Sequence, residues 1–196
     1  MKAKRGVLNI FSVGVAVVLL TLGLSVSHLA RAAEYEKEEY GPLLKVLSKS
    51  KLSLADGIRQ ATRAPEAAIS AKFELDDNKK LSLSVYTAEK GFDTDAEHNV
   101  LKELAGSPEG EKWSPEVEVF KDPEHLKRSA GQLTLMAISP HSLLDIISRA
   151  QKDQQGTVFS ITPVVENRKP QFVVLVDAQG KVVELKYNLL TGEPMK

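Results

Sequence analysis

Two stretches of the chain share the same order of hydrophobic patterns, a helical period followed by strand-like alternation. The helical stretches are SLADGIRQA at residues 53–61 and SLLDIISRA at residues 142–150, with Ser, Leu, Asp, Ile and Ala at matching places. Apolar residues recur in both at the i, i+4 and i+7 spacing of one helix face. These positions are Leu54, Ile58 and Ala61 in the first stretch and Leu143, Ile147 and Ala150 in the second.

A capping box marks the start of each predicted helix. Ser53 is followed three residues later by Asp56, and Ser142 is followed in the same way by Asp145. The serine hydroxyl can accept a hydrogen bond from the third helical amide, while the carboxylate reaches back to the serine amide. Both stretches are therefore predicted to open a short helix.

Apolar and polar residues alternate after each helix, which is typical of strands with one face in water. Around the polar sequence DDNKK the pattern predicts an antiparallel hairpin, and a third strand of open register within residues 92–104. The inward positions are Ile69, Ala71, Phe73, Leu75, Leu81, Leu83 and Val85, and the outward ones Ser70, Lys72, Glu74, Ser82 and Ser84. After the second helix, strands are predicted at 158–165, 171–176 and 181–187.

These matches predict one structural unit, a helix followed by three strands, written twice. Each copy ends in a similar Gly-x-Pro sequence, LAGSP at 104–108 and LTGEP at 190–194. Residues 172–176 of the second copy are apolar at every position, which indicates a strand covered on both faces. We expect the two repeats to pack against each other over this strand; the alternative is a partner-binding surface.

The N-terminus predicts export. Three basic residues lie within residues 1–5, residues 7–29 contain no charged side chain, and Ala30-Arg31-Ala32 forms a small-residue cleavage site. Residues 1–32 are therefore predicted to be a signal peptide, with a membrane anchor over residues 7–29 as the alternative. In both cases the rest of the chain is exported and is periplasmic or extracellular.

The remaining chain divides into four predicted segments. Residues 33–50 form a charged lead with a short apolar docking piece, and residues 51–115 form the first repeat. Residues 116–139 form an ordered bridge, in which Val117 and Val119 mark a strand and Asp122-Pro123 starts a helix. Leu126, Ala130 and Leu133 share one face of that helix. Residues 140–196 form the second repeat.

The composition of the chain excludes several classes of function. The whole chain holds 26 basic and 26 acidic residues, and the leader takes four basic residues and no acidic one. The exported part is therefore mildly acidic and has no basic cluster, which argues against nucleic acid as a partner. The chain contains no cysteine, so disulfides, thiolate metal sites and a cysteine nucleophile are excluded.

The helix opening SLADGI, the strands AKFELDDNKKLSLSVYTAEKG and the ending VDAQGKVVELKYNLLTGEP together resemble the PepSY domain. That domain occurs in propeptides of thermolysin-like secreted metalloproteases and in many exported bacterial proteins. The resemblance covers most of residues 51–108 and 140–196. It implies an α+β fold in which each repeat is a helix packed on a small antiparallel sheet, and a non-catalytic module that binds or restrains proteases.

No residue pattern predicts a catalytic, cofactor or metal site. The chain lacks an H-E-x-x-H zinc motif, a Gly-rich phosphate loop and a G-x-S-x-G turn. The acidic sequence DTDAEHN, which contains Asp93, Asp95, Glu97 and His98, departs from a calcium loop at its sixth and twelfth positions. It is predicted to be a solvated loop. The histidines His98, His125 and His141 form no i, i+3 or i, i+4 pair, Ser107 is predicted to lie in a turn, and Ser142 is already used as a helix cap.

Two aromatic residues, Trp113 and Tyr86, are candidate interface positions. Trp113, beside Ser114-Pro115, is predicted to cap the core at the junction of the repeats, with an exposed interface anchor as the alternative. Tyr86 lies in the second predicted strand.

The sequence therefore predicts an exported, non-enzymatic binding protein with no cofactor and with binding residues left unassigned. The expected partner is a protein of the envelope or secreted fraction, and the resemblance suggests a metalloprotease that the chain restrains or inhibits. Contact with a membrane is expected only if the leader stays uncleaved. The alternative is an envelope protein that binds a small molecule or metal ion in the cleft between the repeats.

Overall fold

The computed structural model describes residues 40–110 and 112–195. The predicted leader and the charged residues up to 39 lie outside this part of the chain. Within it, no helix is both long enough and apolar enough to cross a membrane. The elements, in chain order, are helix α1 at residues 40–47, α2 Leu54–Ala61, β1 Ala67–Leu75, β2 Leu81–Ala88, β3 Leu101–Gly106, β4 Glu116–Val119, α3 Pro123–Ile138, α4 Leu143–Asp153, β5 Thr157–Glu166, β6 Lys169–Asp177 and β7 Val182–Asn188.

The fold of the described residues is α+β, and their strands form one seven-stranded antiparallel sheet in the order β4-β3-β2-β1-β5-β6-β7. Each predicted helix is followed by three consecutive antiparallel strands, α2 by β1 to β3 and α4 by β5 to β7. The two halves meet where β1 pairs with β5, through Ala71 opposite Ile161 and Lys72 opposite Ser160. We call this short pairing the seam.

The expectation that the two repeats pack against each other over residues 172–176 is wrong. The halves lie side by side instead, because β1 and β5 each leave one strand edge unpaired and these edges satisfy each other. Phe172, Val174 and Val176 are fully buried, whereas Val173 and Leu175, on the opposite face, are half-buried.

Helices cover both faces of the sheet. Helix α2 lies so close to β2 that a Cβ atom on Gly57 would come within 2.3 Å of Leu83 Cδ2. Helix α4 lies on the same face, where the Tyr187 hydroxyl donates a 2.9 Å hydrogen bond to Asp153. The long helix α3 lies on the opposite face. We refer to these as the α2–α4 face and the α3 face.

The prediction that the serine side of β1 and β2 faces water is wrong. Ser70 and Ser84 are 3% and 1% exposed. The Ser70 hydroxyl donates a 2.9 Å hydrogen bond to Gln132 of α3, and the Ser84 hydroxyl donates one of 2.6 Å to Glu74. Because these side chains find protein partners, they can be buried without losing the hydrogen bonds that water would supply.

Both predicted capping boxes are confirmed. The Asp56 amide donates a 3.1 Å hydrogen bond to the Ser53 hydroxyl, and the Asp145 amide donates one of 3.2 Å to Ser142. Each carboxylate accepts a return bond from the serine amide. The bridge helix also begins as predicted, because Asp122 caps α3 by accepting a 3.0 Å bond from the His125 amide.

The cap of α4 should make stability depend on pH. We expect Ser142→Ala to lower the free energy of unfolding by about 1 kcal/mol near neutral pH, because an orphan helix amide loses its partner. Hydrogen bonds from Ser142 lower the pKa of Asp145. The stabilisation that comes from the ionised Asp145 carboxylate is present above the pKa of this group in the unfolded chain. It is lost as the pH falls through the lower pKa of the folded state.

Denaturant unfolding of the wild type and Ser142→Ala between neutral and acidic pH checks this expectation. The difference between the two proteins should shrink as the pH falls, although the amide-to-hydroxyl bond keeps part of it. A difference that stays constant or grows towards acid would contradict the role assigned to Asp145. Ser53→Ala is the matched variant at the same position of α2.

Candidate binding edge

Strand β4 forms one edge of the sheet, and among the described residues nothing pairs with its outer side. The Phe120 amide donates a 3.1 Å hydrogen bond to the Leu101 carbonyl. Because bonded and non-bonded pairs alternate along an antiparallel ladder, Glu118 and Glu116 also direct their backbone groups to β3. Val117 and Val119 therefore turn their N–H and C=O groups outward, where no described residue bonds to them.

The side chains of β4 separate by chemistry onto the two faces. Val117 and Val119 lie on the α2–α4 face and are 58% and 45% exposed. Glu116 and Glu118 lie on the α3 face, where they are exposed. Within the described residues neither glutamate side chain has a hydrogen-bond or ion-pair partner. The edge thus presents an apolar side, an acidic side and a row of free backbone groups.

An acidic groove of 420 Å³ extends on the α3 face from the turn between β1 and β2, across β2 and β3, to β4. No lysine, arginine or histidine of the described chain lines it. Its carboxylates are Glu74, Asp76, Asp77, Glu103, Glu116 and Glu118. Burial, together with the negative charges of Glu103 and Glu74, raises the pKa of the nearby Tyr86 hydroxyl far above its usual value.

Some of these carboxylates are already used within the structure. Glu74 forms an ion pair with Lys72 and accepts the bond from Ser84. Asp76 accepts hydrogen bonds from the amides of Asn78 and Lys80, at 2.9 and 2.8 Å, and so shapes the turn between β1 and β2. The unpartnered charge of the groove therefore lies mainly on the β4 side.

The opposite edge, strand β7, is partly covered by the C-terminal segment. The Met195 amide donates a 2.8 Å bond to the Lys186 carbonyl, and the Asn188 amide donates one of 2.9 Å to Glu193. The Lys186 side chain is also held, at 2.7 Å from Glu166 and 3.1 Å from Glu184. Of the two edges, β4 is the one left open by the described chain.

A second opening lies at the seam between the halves. This cleft has a volume of 280 Å³, just below the range of about 300–1,000 Å³ that is usual for ligand pockets. Its lining includes Leu43, Phe73, Phe159 and Leu175 together with Lys72, whose ammonium group is already paired with Glu74. The Tyr40 ring lies 5.5 Å from the Phe159 ring and occupies part of the rim.

The three histidines considered in the sequence analysis lie in separate places in the described structure. His98 contacts Asp95 at 2.8 Å in the exposed acidic loop, and His125 contacts the helix cap Asp122 at 2.8 Å. His141 packs against Gly192. No group of three potential ligands able to hold a metal ion occurs among the described residues. Ser107 lies in the loop after β3, where its hydroxyl accepts a 3.4 Å bond from the Glu109 amide.

Trp113 is buried, as its core interpretation predicted, so the exposed-anchor alternative is wrong. It is 5% exposed, and its indole N–H donates a 3.2 Å bond to the Gly106 carbonyl. It therefore packs at the end of β3 and not at the seam. Tyr86 is also buried, and its ring stacks on Phe120 at 6.0 Å.

The sequence indicated the β4 strand but not its exposed edge. Val117 and Val119 predicted a strand at 117–119, but their alternation does not show which edge of that strand stays unpaired. One sequence signal could have identified the edge. The strand at 117–119 is short and belongs to neither repeat, so neither repeat supplies a strand to pair with its second side.

Comparison with known proteins identifies no family for this chain. No protein-family model matches the sequence, and no curated protein matches it. One solved structure, described as a "putative lipoprotein" from Clostridium difficile 630, is similar over 75% of this chain and 92% of that chain. Its TM-score is 0.39 and its sequence identity is 16%, values too low to support an argument about function.

Proposed function

We propose that this protein is an exported, non-enzymatic binding protein built of two PepSY-like repeats, which holds an extended segment of a partner protein along β4. The observation that carries the proposal is the outward-facing backbone of Val117 and Val119. Strand addition to a free edge supplies affinity through main-chain hydrogen bonds, and side-chain positions on each face supply specificity. This edge supports protein binding better than the small seam cleft supports a ligand.

Several features support descent of the two halves from one repeat. Each half opens with the same capping box and continues into an antiparallel three-strand meander. The first strand of each half also carries an irregularity in register, between Ala68 and Ser70 in β1 and between Val158 and Ser160 in β5. Bulges are kept as designed features within related folds, so their matching position favours duplication.

The predicted leader supports a site of action outside the cytoplasm, in the periplasm or the extracellular space. The PepSY resemblance makes a secreted metalloprotease the first partner class to test, with restraint of the protease as the expected effect.

Replacing Val117 with Pro should abolish partner binding without unfolding the protein. Proline removes the outward N–H on which strand addition depends, but no hydrogen bond to β3, and it is tolerated at such edge positions. We expect a partner captured by the wild type from the envelope and secreted fraction to be lost by this variant. The melting temperature of the variant should stay close to that of the wild type.

Two control variants separate the possible causes. Val117→Thr keeps the N–H but makes the side chain polar, so it should retain most of the binding. Glu184→Pro places a proline at an outward position of the opposite edge strand and should retain the partner. Equal capture by the wild type and a folded Val117→Pro protein would overturn the proposal.

A further inference from the structure

The chemistry of β4 indicates which kind of segment it accepts. Resting on the proposed strand addition, we propose that the bound segment alternates basic and apolar residues, with lysine or arginine facing the acidic groove and apolar side chains facing Val117 and Val119. The partner is thus an extended basic polypeptide stretch, and its recognition follows from charge and register together.

Strand β4 brings like charges together, and no lysine, arginine or histidine of the described residues lines the groove beside them. Glu118 lies directly opposite Glu103 on the α3 face, and Glu116 lies beside them opposite Ala105. Like charges directly across a strand pair are destabilising, whereas opposite charges stabilise. A strand added to the free side of β4 could place a cationic side chain opposite Glu118. That charge would offset the repulsion between Glu118 and Glu103.

The other face of β4 favours apolar residues at the intervening positions of the bound segment. Val117 and Val119 extend a row that continues inward to Leu104, which is half-buried opposite Val117. Successive residues of a strand point to opposite faces, so a segment with basic residues towards the groove places its intervening residues beside these valines. Apolar residues at those positions would cover side chains that are now 58% and 45% exposed.

The charge of β4 also argues against a second copy of the chain as the occupant. Two copies joined antiparallel along β4 are related by a twofold axis normal to the sheet, so acidic side chains would oppose acidic side chains across the junction. The charge-charge repulsion disfavours that pairing. A divalent cation is not favoured either, because no three-ligand cluster is present among the described residues.

Short synthetic peptides test this inference against the exported protein recovered from cells that make the full chain. The peptides are Lys-Val-Lys-Val-Lys-Val-Lys, its neutral counterpart with serine in place of lysine, its acidic counterpart with glutamate, and a scrambled peptide with its lysines grouped together. We expect the alternating basic peptide to bind about tenfold more tightly than the neutral one at low salt, from several cross-strand charge pairs. The acidic peptide should show the weakest binding.

Glu118→Gln gives a matched test within the protein. It should weaken binding of the alternating basic peptide about threefold and leave the neutral peptide unchanged, because one cross-strand charge pair is lost. The same variant should not lower the melting temperature of the free protein, because it also removes the repulsion with Glu103. A structural defect would instead lower the melting temperature and weaken both peptides.

The outcomes separate this inference from the proposed function. Equal affinity for the neutral and basic alternating peptides would overturn the inference and leave strand addition standing. Equal affinity for the alternating and grouped basic peptides would also overturn it, because net charge alone would then explain binding. Failure of every peptide to bind, or binding unaffected by Val117→Pro, would count against β4 as the binding edge itself.

Discussion

Replacing Ile161 with Ala should lower the free energy of unfolding by about 2–5 kcal/mol, the range for an isoleucine truncated in a packed core. Ile161 is fully buried and lies opposite Ala71, so its side chain belongs to the seam that joins the halves. Because one core spans the seam, the variant should still unfold in a single transition that is shifted as a whole. Denaturant unfolding followed by both circular dichroism and Trp113 fluorescence measures this.

Val165→Ala is the matched control for this change. Val165 lies on the same strand and the same face but is 62% exposed, so its truncation should change stability by at most about 0.5 kcal/mol. Two separate transitions, with Ile161→Ala shifting only that of the second half, would show that the halves fold independently. That result would contradict the single sheet through β1 and β5.

Gly156→Ala should be among the most damaging single-methyl additions in the chain, costing about 3 kcal/mol or more from backbone strain and overpacking together. Gly156 has φ of +148°, a region that residues with a Cβ atom rarely adopt. An added Cβ would also lie 2.3 Å from the Asp177 carbonyl oxygen and 2.8 Å from Val176 Cγ1. Relief of that clash requires movement of β6 against β5, so thermal unfolding should show a large loss.

Gly180→Ala separates the two causes in this prediction. Gly180 also has positive φ, +81°, but no atom lies within 4 Å of its ideal Cβ position. It should therefore show the conformational cost alone, about 1 kcal/mol. Equal losses for Gly156→Ala and Gly180→Ala would mean that the close approach to Asp177 has no energetic effect, and the packing described between β5 and β6 would be wrong.

Features that depend on neighbouring residues could be predicted from the sequence. The capping boxes were recognisable because Ser and Asp stand three residues apart, which is the spacing that their mutual hydrogen bonds require. The strands of the second half were recognisable because period-two alternation reports a two-faced element directly. The α3 start was recognisable from Asp122-Pro123, since both residues favour the first turn of a helix.

Features that depend on long-range assembly could not be predicted in this way. Which strand edges pair is decided by contacts between distant segments, so the seam at Ala71 and Ile161 has no local signature. Ser70 and Ser84 were predicted to face water because a serine gives the same alternating sequence pattern in two situations. Its hydroxyl can bond to water or, as here, to the side chain of Gln132 or Glu74. The open edge of β4 could be recognised only from the strand order, because the sequence of a strand does not show which strands pair with it.

Amide hydrogen exchange measured residue by residue by NMR tests most directly whether β4 is the binding edge. In the free protein the amides of Val117 and Val119 should exchange quickly, while that of Glu118, bonded to β3, exchanges slowly. Binding of the alternating basic peptide should slow exchange at Val117 and Val119. If binding leaves both amides fast and instead protects amides at β7 or the seam, the edge assignment is contradicted.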